Sequence, residues 1–352
     1  MSLPDDGGTP VPTPLRIGVL GLTHDHIWDN LPDAATHPDV RIVAAADPHQ
    51  ALLGRVEREF HARPYTNPET MLDSEELDAV YVYADNASGP ELTELATSRD
   101  LHVLVEKPMA ATLAGAERML AAAEAANVRL LVNWPFAWWP QMQHALKMVQ
   151  DGAVGTVWQV RYRAAHEGPR ELGCSEFFCD WLYDPRRNGP GGAFMDYCCY
   201  GAVLARTVLG MPTHVSAMAE RLVKENIDVE DNGMLVMNYR HAMAISEGSW
   251  TQIGKLSAYM TLIYGTEGTL MMEPRVGGRL LLATAEVPEG LEVVVPESAS
   301  ENRSATAHLA HCVETGSRAL PLCDAIICRD TQAILEKGIE AARAGQTLPL
   351  DP

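Results

Sequence analysis

LRIGVLGLTHDHIW, residues 15–28, begins as a β-branched apolar run and turns at one glycine into what reads as the start of a helix. This is the pattern of the first turn of a βαβ unit that cradles a dinucleotide. There, G-x-G-x-x-G uses its first glycine for the tight turn, its second for close approach of the pyrophosphate and its third for helix packing. Aligned to that fingerprint the loop reads Gly21, Leu22, Thr23, His24, Asp25, His26, and only Gly21 is kept. Alone, so degenerate a loop is a weak signal, and the surrounding chain has to decide.

Working outward, LRIGVLG, VRIVAAAD, DAVYVYAD, LHVLVEK and VRLLVN are five apolar runs bounded by polar or turn residues, with helix-length segments between them. Continuous apolar runs suit strands buried on both faces, and the alternation predicts an α/β, doubly wound parallel (Rossmann) sheet over residues 15–135. The Ala-rich AGAERMLAAAEAANV is the clearest helix, with Thr112 as its N-cap. After Asn133 the texture changes. WPFAWWP (134–140) leads into a helix, then into TVWQVRYRA, HVSAMAERLV, GMLVMNYR, AMAISEGSW and SAYMTLIYG, with one helix after NGPGG and helices again at the end. This predicts an α+β domain over residues 136–352 with a large, mainly antiparallel sheet, its C-terminal helix able to pack back on the first domain.

A chain of 352 residues fits two such domains. Acidic residues outnumber Lys plus Arg by 47 to 27, and the net charge of -20 argues against nucleic acid and anionic membrane surfaces as partners. Residues 1–14, acidic and rich in Pro and Gly, read as a disordered leader without the features of a signal peptide. No apolar run approaches a membrane span. Seven scattered cysteines suggest reduced thiols and a cytoplasmic setting. Cys174/Cys179 and Cys323/Cys328 are spaced more loosely than a zinc knuckle, and Cys198 and Cys199 read as small packing residues.

A loop that follows a strand and opens a helix offers free backbone N–H groups and about half a positive charge to an anion. Twenty-six residues past Gly21, the second run ends at Asp47, where a carboxylate would accept from an adenosine ribose and repel a 2′-phosphate; this favours NAD, with NADP possible. Asp47-Pro48 also reads as a plain helix-starting turn, and the two roles are compatible. His24 and His26, lacking a third donor nearby in sequence, read as structural or cofactor-edge residues, and no metal is expected. LVEKPMA places Glu106 and Lys107 at the carboxyl end of a parallel strand, the edge where doubly wound folds bind ligands.

The chain resembles the Gfo/Idh/MocA family of glucose-fructose oxidoreductase, inositol dehydrogenase and MocA proteins. The resemblance is carried by Glu106-Lys107-Pro108, ELDAV, Asn133, DGAVGTV, GGAFMD and IYGTEGTLMM, in order across residues 15–350. It implies an NAD(P)-dependent oxidoreductase acting on the CH–OH groups of a sugar, polyol or related cyclic alcohol, assembled as a homodimer or homotetramer. It also implies a cofactor site including Asn86, from a segment that reads T-P-N-x-x-H in the family and ADNASG here. GGAFMDYCCYGA matches the family's D-x-G-x-H/Y helix, so Asp196 and Tyr200, at i and i+4, are expected on one helical face with Tyr200 at the proton-transfer position. A tyrosine there is similar to the branch of glucose-fructose oxidoreductase, dihydrodiol dehydrogenase and xylose dehydrogenase.

Hydride loss from an alcohol carbon requires the hydroxyl proton to leave, and an isolated Tyr or Lys with a pKa near ~10 is a poor base at neutral pH. Lys107 beside Tyr200, with both near the positive nicotinamide ring, is therefore expected to lower the phenol's pKa, with Asp196 positioning hydroxyls or the lysine. Departures from the family pattern bear on the substrate: Gly89 stands where a histidine is usual, Cys198 where a glycine is, and Phe136 where an arginine is frequent. Trp134, with Trp138 and Trp139, reads either as a stacking wall for a sugar or as packing between domains. Asn133, Arg163 and His166 are further substrate candidates, although a solvated sheet face explains Arg161 and Arg163 equally well. Two other readings stay open: a glycosidase or epimerase that uses NAD without net turnover, and a dinucleotide or sugar sensor without catalysis.

Overall fold

The computed structural model describes residues 14–350; the expected leader falls, apart from Pro14, outside them. The first half alternates strand and helix: β1 Leu15–Leu20, α1 Ile27–Thr36, β2 Val40–Ala46, α2 Gln50–Phe60, β3 Arg63–Tyr65, α3 Pro68–Ser74, β4 Ala79–Val82, α4 Gly89–Thr97, β5 His102–Glu106, α5 Leu113–Ala126 and β6 Leu130–Asn133. The strands form one parallel sheet in the order β3-β2-β1-β4-β5-β6, the doubly wound arrangement expected. Ile17, Val19, Leu20, Val80, Val103 and Leu104 are fully buried, which is why these runs are apolar without alternation. β3 is not among the five apolar runs. It is three residues long, carries Pro64, and survives as an edge strand because an edge needs only one side of its backbone paired. Thr112 caps α5 by accepting from the Gly115 N–H at 3.1 Å.

The second half runs α6 Pro140–Gln150, β7 Val157–Ala165, α7 Glu176–Leu182, α8 Cys199–Leu209, β8 His214–Glu220, β9 Asn232–Asn238, β10 Met243–Ser249, β11 Tyr259–Gly265, β12 Gly268–Met272, β13 Leu280–Thr284 and β14 Leu291–Glu292. The chain closes with α9 Ala305–Thr315, α10 Ala325–Ala344 and β15 Leu348–Pro349. Its sheet has nine strands in the order β14-β13-β12-β11-β7-β10-β9-β8-β15, antiparallel except for the central β7–β10 pair. α8 and α10 cover one face of it. α9 returns to the first sheet, where Ala305, Leu309 and Cys312 join its core and Thr306 accepts from Tyr81 at 2.9 Å.

What positions the site is the seat of α8. A Cβ on Gly201 would come within 2.2 Å of Ser246 Oγ, and one on Gly248 within 2.5 Å of the Ala193 carbonyl, so glycines let helix and β10 approach closely. Ser246 Oγ donates to the Cys198 carbonyl at 3.1 Å and pins that approach. Cys198 and Cys199 are buried packing residues, and all seven cysteines are free thiols. Among the described residues no helix is long and apolar enough to cross a membrane.

Candidate active site

Gly21 makes the first bend: its φ is +84°, and a Cβ would lie 2.6 Å from the Ala84 amide nitrogen and 2.7 Å from its Cα. Leu22 then donates its N–H to Asp47 Oδ2 at 2.7 Å, while Asp47 Oδ1 accepts from the His49 backbone N–H at 2.8 Å and lies 2.7 Å from its ring. The two sheet ends that should meet a dinucleotide are thus tied together at a buried carboxylate. Beyond them the Thr23 and Asp25 amides donate to nothing among the described residues, and Thr23 is buried at the entrance to α1. Unspent donors at a helix N-terminus are the chemistry a pyrophosphate requires, so this loop fits a dinucleotide with one glycine instead of three.

His24 is buried and its Nδ1 accepts from the His26 N–H at 3.2 Å; burial, then His26 and Lys107, hold its pKa well below the ordinary value, so the ring is neutral. His26 Nδ1 lies 2.8 Å from Glu106 Oε1, and Asn133 donates to Glu106 Oε2 at 2.6 Å and to Tyr83 Oη at 3.0 Å. Trp138 fixes that amide by donating to Asn133 Oδ1 at 2.8 Å. The structure corrects one premise about the histidines. A third donor does stand beside them: ligand atoms of His24, His26 and Glu106 lie within 4.8 Å of one another. Sequence distance concealed it, because Glu106 arrives from a different strand.

The second half of the chain reaches over this loop through α7, which the sequence reading did not contain. Ser175 donates its N–H and its hydroxyl to Asp25 at 2.7 and 2.6 Å, Phe178 meets the His24 ring edge-on, and Trp181 packs tilted against it. Trp181 also approaches the Thr23 carbonyl at 3.5 Å, and Phe177 packs on His49. Seven residues after a long loop carry too little periodicity to announce a helix, although Ser175 three residues ahead of Phe178 is a capping signal in hindsight. Asn86 is likewise tied across the cleft, donating to the Asn188 carbonyl and side-chain oxygen, both at 2.9 Å.

Lys107 and Asp196 meet at the centre. Lys107 Nζ donates to Asp196 Oδ1 at 2.7 Å with both groups buried, and Trp250 donates to Asp196 Oδ2 at 3.2 Å. Burial by itself would lower the Lys107 pKa, but Asp196 beside it carries it above the ordinary value. Burial correspondingly pushes the Asp196 carboxyl up, and Lys107 holds it below the usual range. The two are an ion pair across the neutral range.

The helix that carries Asp196 and Tyr200 opens with a π turn, Phe194–Cys198, and Lys107 Nζ reaches both side chains. The Tyr200 ring lies against Trp134, Phe136 and, stacked, Tyr162, with Lys107 Nζ 5.1 Å from its centroid. Burial pushes its phenol well above the ordinary value, and Cys199, Glu106 and Asp196 push it the same way.

Other substrate candidates separate. Trp134 is fully buried and donates to Cys328 Sγ at 3.3 Å, so it packs the junction and offers no wall to a sugar. Arg163 is committed to Glu247, Gln252 and the Ser257 carbonyl, and Arg161 shares Glu247 with it, as on a solvated sheet face. His166 does join the central group, 2.7 Å from Tyr197 Oη.

A doubly wound sheet with an anion-ready first turn, closed by a second α/β unit around a buried lysine–aspartate pair, defines a two-domain dinucleotide-binding oxidoreductase. Residues 15–134 match the family described as "Oxidoreductase family, NAD-binding Rossmann fold", and residues 142–271 match the GFO/IDH/MocA C-terminal domain. The chain belongs to the Gfo/Idh/MocA oxidoreductase family. It is 28% identical to a dTDP-3,4-didehydro-2,6-dideoxy-alpha-D-glucose 3-reductase of Streptomyces antibioticus over 75% of this chain and 77% of that protein. It is 34% identical to a D-apiose dehydrogenase of Paraburkholderia graminis over 43% of this chain, spanning 39% of that relative. Its fold is that of an inositol dehydrogenase homolog of Azotobacter vinelandii, solved with NAD+, at TM-score 0.83 and 20% identity over 98% and 100% of the two chains.

Proposed function

We propose that the protein transfers a hydride between NAD and a CH–OH or carbonyl carbon of a sugar, polyol or related cyclic alcohol. The observation that carries this is the buried Lys107–Asp196 ion pair at the carboxyl edge of the parallel sheet, next to the loop that fits a dinucleotide. The bound nicotinamide supplies the hydride acceptor or donor. Gly21, Leu22, Thr23, His24 and His26 form the loop that receives it, with Asp47, Asn86 and Glu106 around them. Asp47 favours an unphosphorylated ribose.

Lys107 holds the reacting oxygen and Asp196 keeps the ammonium charged and aimed. Tyr200, at the family's proton-transfer position, retains its proton at neutral pH and is set to donate it in the carbonyl-reducing direction. Asn133 orients Glu106. His24 Nδ1 is taken up by the His26 N–H and Glu106 Oε2 by Asn133, so the cluster serves as a hydrogen-bond network, and turnover is expected to survive dialysis against a chelator. The working form is a homodimer or homotetramer in a reducing, cytoplasmic compartment.

The test is a panel of aldoses, inositols and dihydrodiols with NAD and with NADP, read at the absorbance of the reduced nicotinamide. NADH appearing in step with product is expected, with NAD preferred. Silence across the panel by a protein that binds NADH overturns the reading.

A further inference from the structure

The chain between β7 and the helix of Asp196 crosses the carboxyl edge of the first sheet and is tied to it on both sides of the dinucleotide crevice. In the order β3-β2-β1-β4-β5-β6 the direction of travel reverses between β1 and β4, and a doubly wound sheet holds its ligand in the crevice at that point. One tie lies on the side of β1 and β2. Ser175 gives its N–H and its hydroxyl to the Asp25 carboxylate, and Phe177 meets the ring of His49. The other lies beyond β4. Arg187 Nε donates to Asp85 Oδ2 at 3.0 Å, the Arg187 carbonyl accepts from the Ala87 N–H at 2.9 Å, and Asn188 accepts from Asn86.

Residues 175–188 therefore span the crevice from one bank to the other, past the Thr23 and Asp25 amides that fit a pyrophosphate. The span is held as one piece with the second half of the chain. Phe178, Trp181 and Leu182 share a buried cluster with Ile227, Val229 and Trp250, and Asn188, fully buried, donates to the carbonyls of Leu182 and Gly191 at 3.0 Å each. A segment so packed lifts as a unit, and lifting it breaks both ties together. Ser175 and Arg187 have no part in the hydride chemistry, so the ties can be weakened without touching it.

We infer that residues 175–188 are a strap that closes over the bound dinucleotide, and that the cofactor enters and leaves only while the Ser175–Asp25 and Arg187–Asp85 ties are broken. The inference rests on the dinucleotide reading of the loop at Gly21 and is independent of which alcohol is oxidised.

Stopped-flow fluorescence of NADH association and release tests it on wild type, Ser175→Gly, Arg187→Ala and the double variant. Ser175 also caps α7, accepting from the Phe178 N–H at 3.1 Å, and glycine is chosen because an N-cap tolerates it at little cost. Ser175→Gly is expected to release NADH about tenfold faster, as loss of a hydrogen bond to a charged group would. Arg187→Ala should do so about threefold faster, since that pair is partly exposed. Lying on opposite banks, the two effects should multiply in the double variant. Association should quicken in each variant as well, because a strap that opens more often admits the cofactor as readily as it frees it, whereas a lost cofactor contact would speed release alone. Circular dichroism checks that the variants are folded. Release unchanged in either single variant, or quickened without a faster association, overturns the inference. Failure of the wild type to bind NADH overturns it together with the oxidoreductase reading, while silence on the sugar panel with NADH bound overturns only the latter.

Discussion

Gly21 carries a positive φ and has the Ala84 backbone where a Cβ would be, so Gly21→Ala must move the turn that aims the Thr23 and Asp25 amides. It is expected to cost about 1–3 kcal/mol, the order of strain of a residue held in a sparsely allowed conformation, and to weaken NADH binding; thermal melts and a fluorescence titration measure both. Lys107→Met removes one member of a buried ion pair. Turnover should fall at least ~10²-fold, the scale of proton-transfer and oxygen-holding groups, while NADH still binds; turnover intact with cofactor bound would remove Lys107 from the proposed chemistry. At this scale much was legible. Glu106-Lys107-Pro108 and Asp196 could be named from short motifs because each holds its place by local backbone position. The partners of His26 and Tyr197 were not, since Glu106 and His166 reach them from distant strands.

Among the elements, the helix opening at Phe194 depends on Glu230, which accepts from the N–H groups of Gly192 and Phe194 at its start. Burial pushes the Glu230 carboxyl up to about 7, from an ordinary value of 4.5. The folded state therefore binds more protons than the unfolded one between those two values, and stability falls as pH rises through that window. The Tm of the wild type relative to Glu230→Gln should accordingly decline from pH 4.5 to pH 7 and stay level above; a constant difference would contradict this. α7 shows the limit of reading elements from sequence. Its apolar residues, Phe178 and Trp181, face a histidine loop from the other half of the chain, so their spacing makes sense only once both surfaces are known. α5, by contrast, was legible end to end, because its cap and its alanines act within one turn of themselves.

On the scale of the whole molecule, the nine-stranded sheet has one face covered by α8 and α10 and another that leaves Trp158, Met218, Met234 and Met243 exposed on neighbouring strands. Exposed apolar side chains on one sheet face are what a subunit contact would use. The proposed homo-oligomer therefore predicts that Met218→Glu with Met234→Glu, at positions paired across β8 and β9, lowers the mass found by light scattering to that of a monomer without altering the fold seen by circular dichroism. A wild type that is already monomeric at working concentration would refute the assembly.

The two sheets, most of their strands and helices, and the lysine at the parallel edge were written in the chain itself, because apolar period, turn residues and motif position all act over short stretches. Folding alone decided how closely Asp196 would hold Lys107 and that Trp250 would take its other oxygen. Folding likewise completed the His24 and His26 pair with Glu106 and brought Ser175, Phe178 and Trp181 over the loop at Gly21. Each of those is a contact between segments far apart in sequence, and such contacts depend on how two separately legible halves pack against one another.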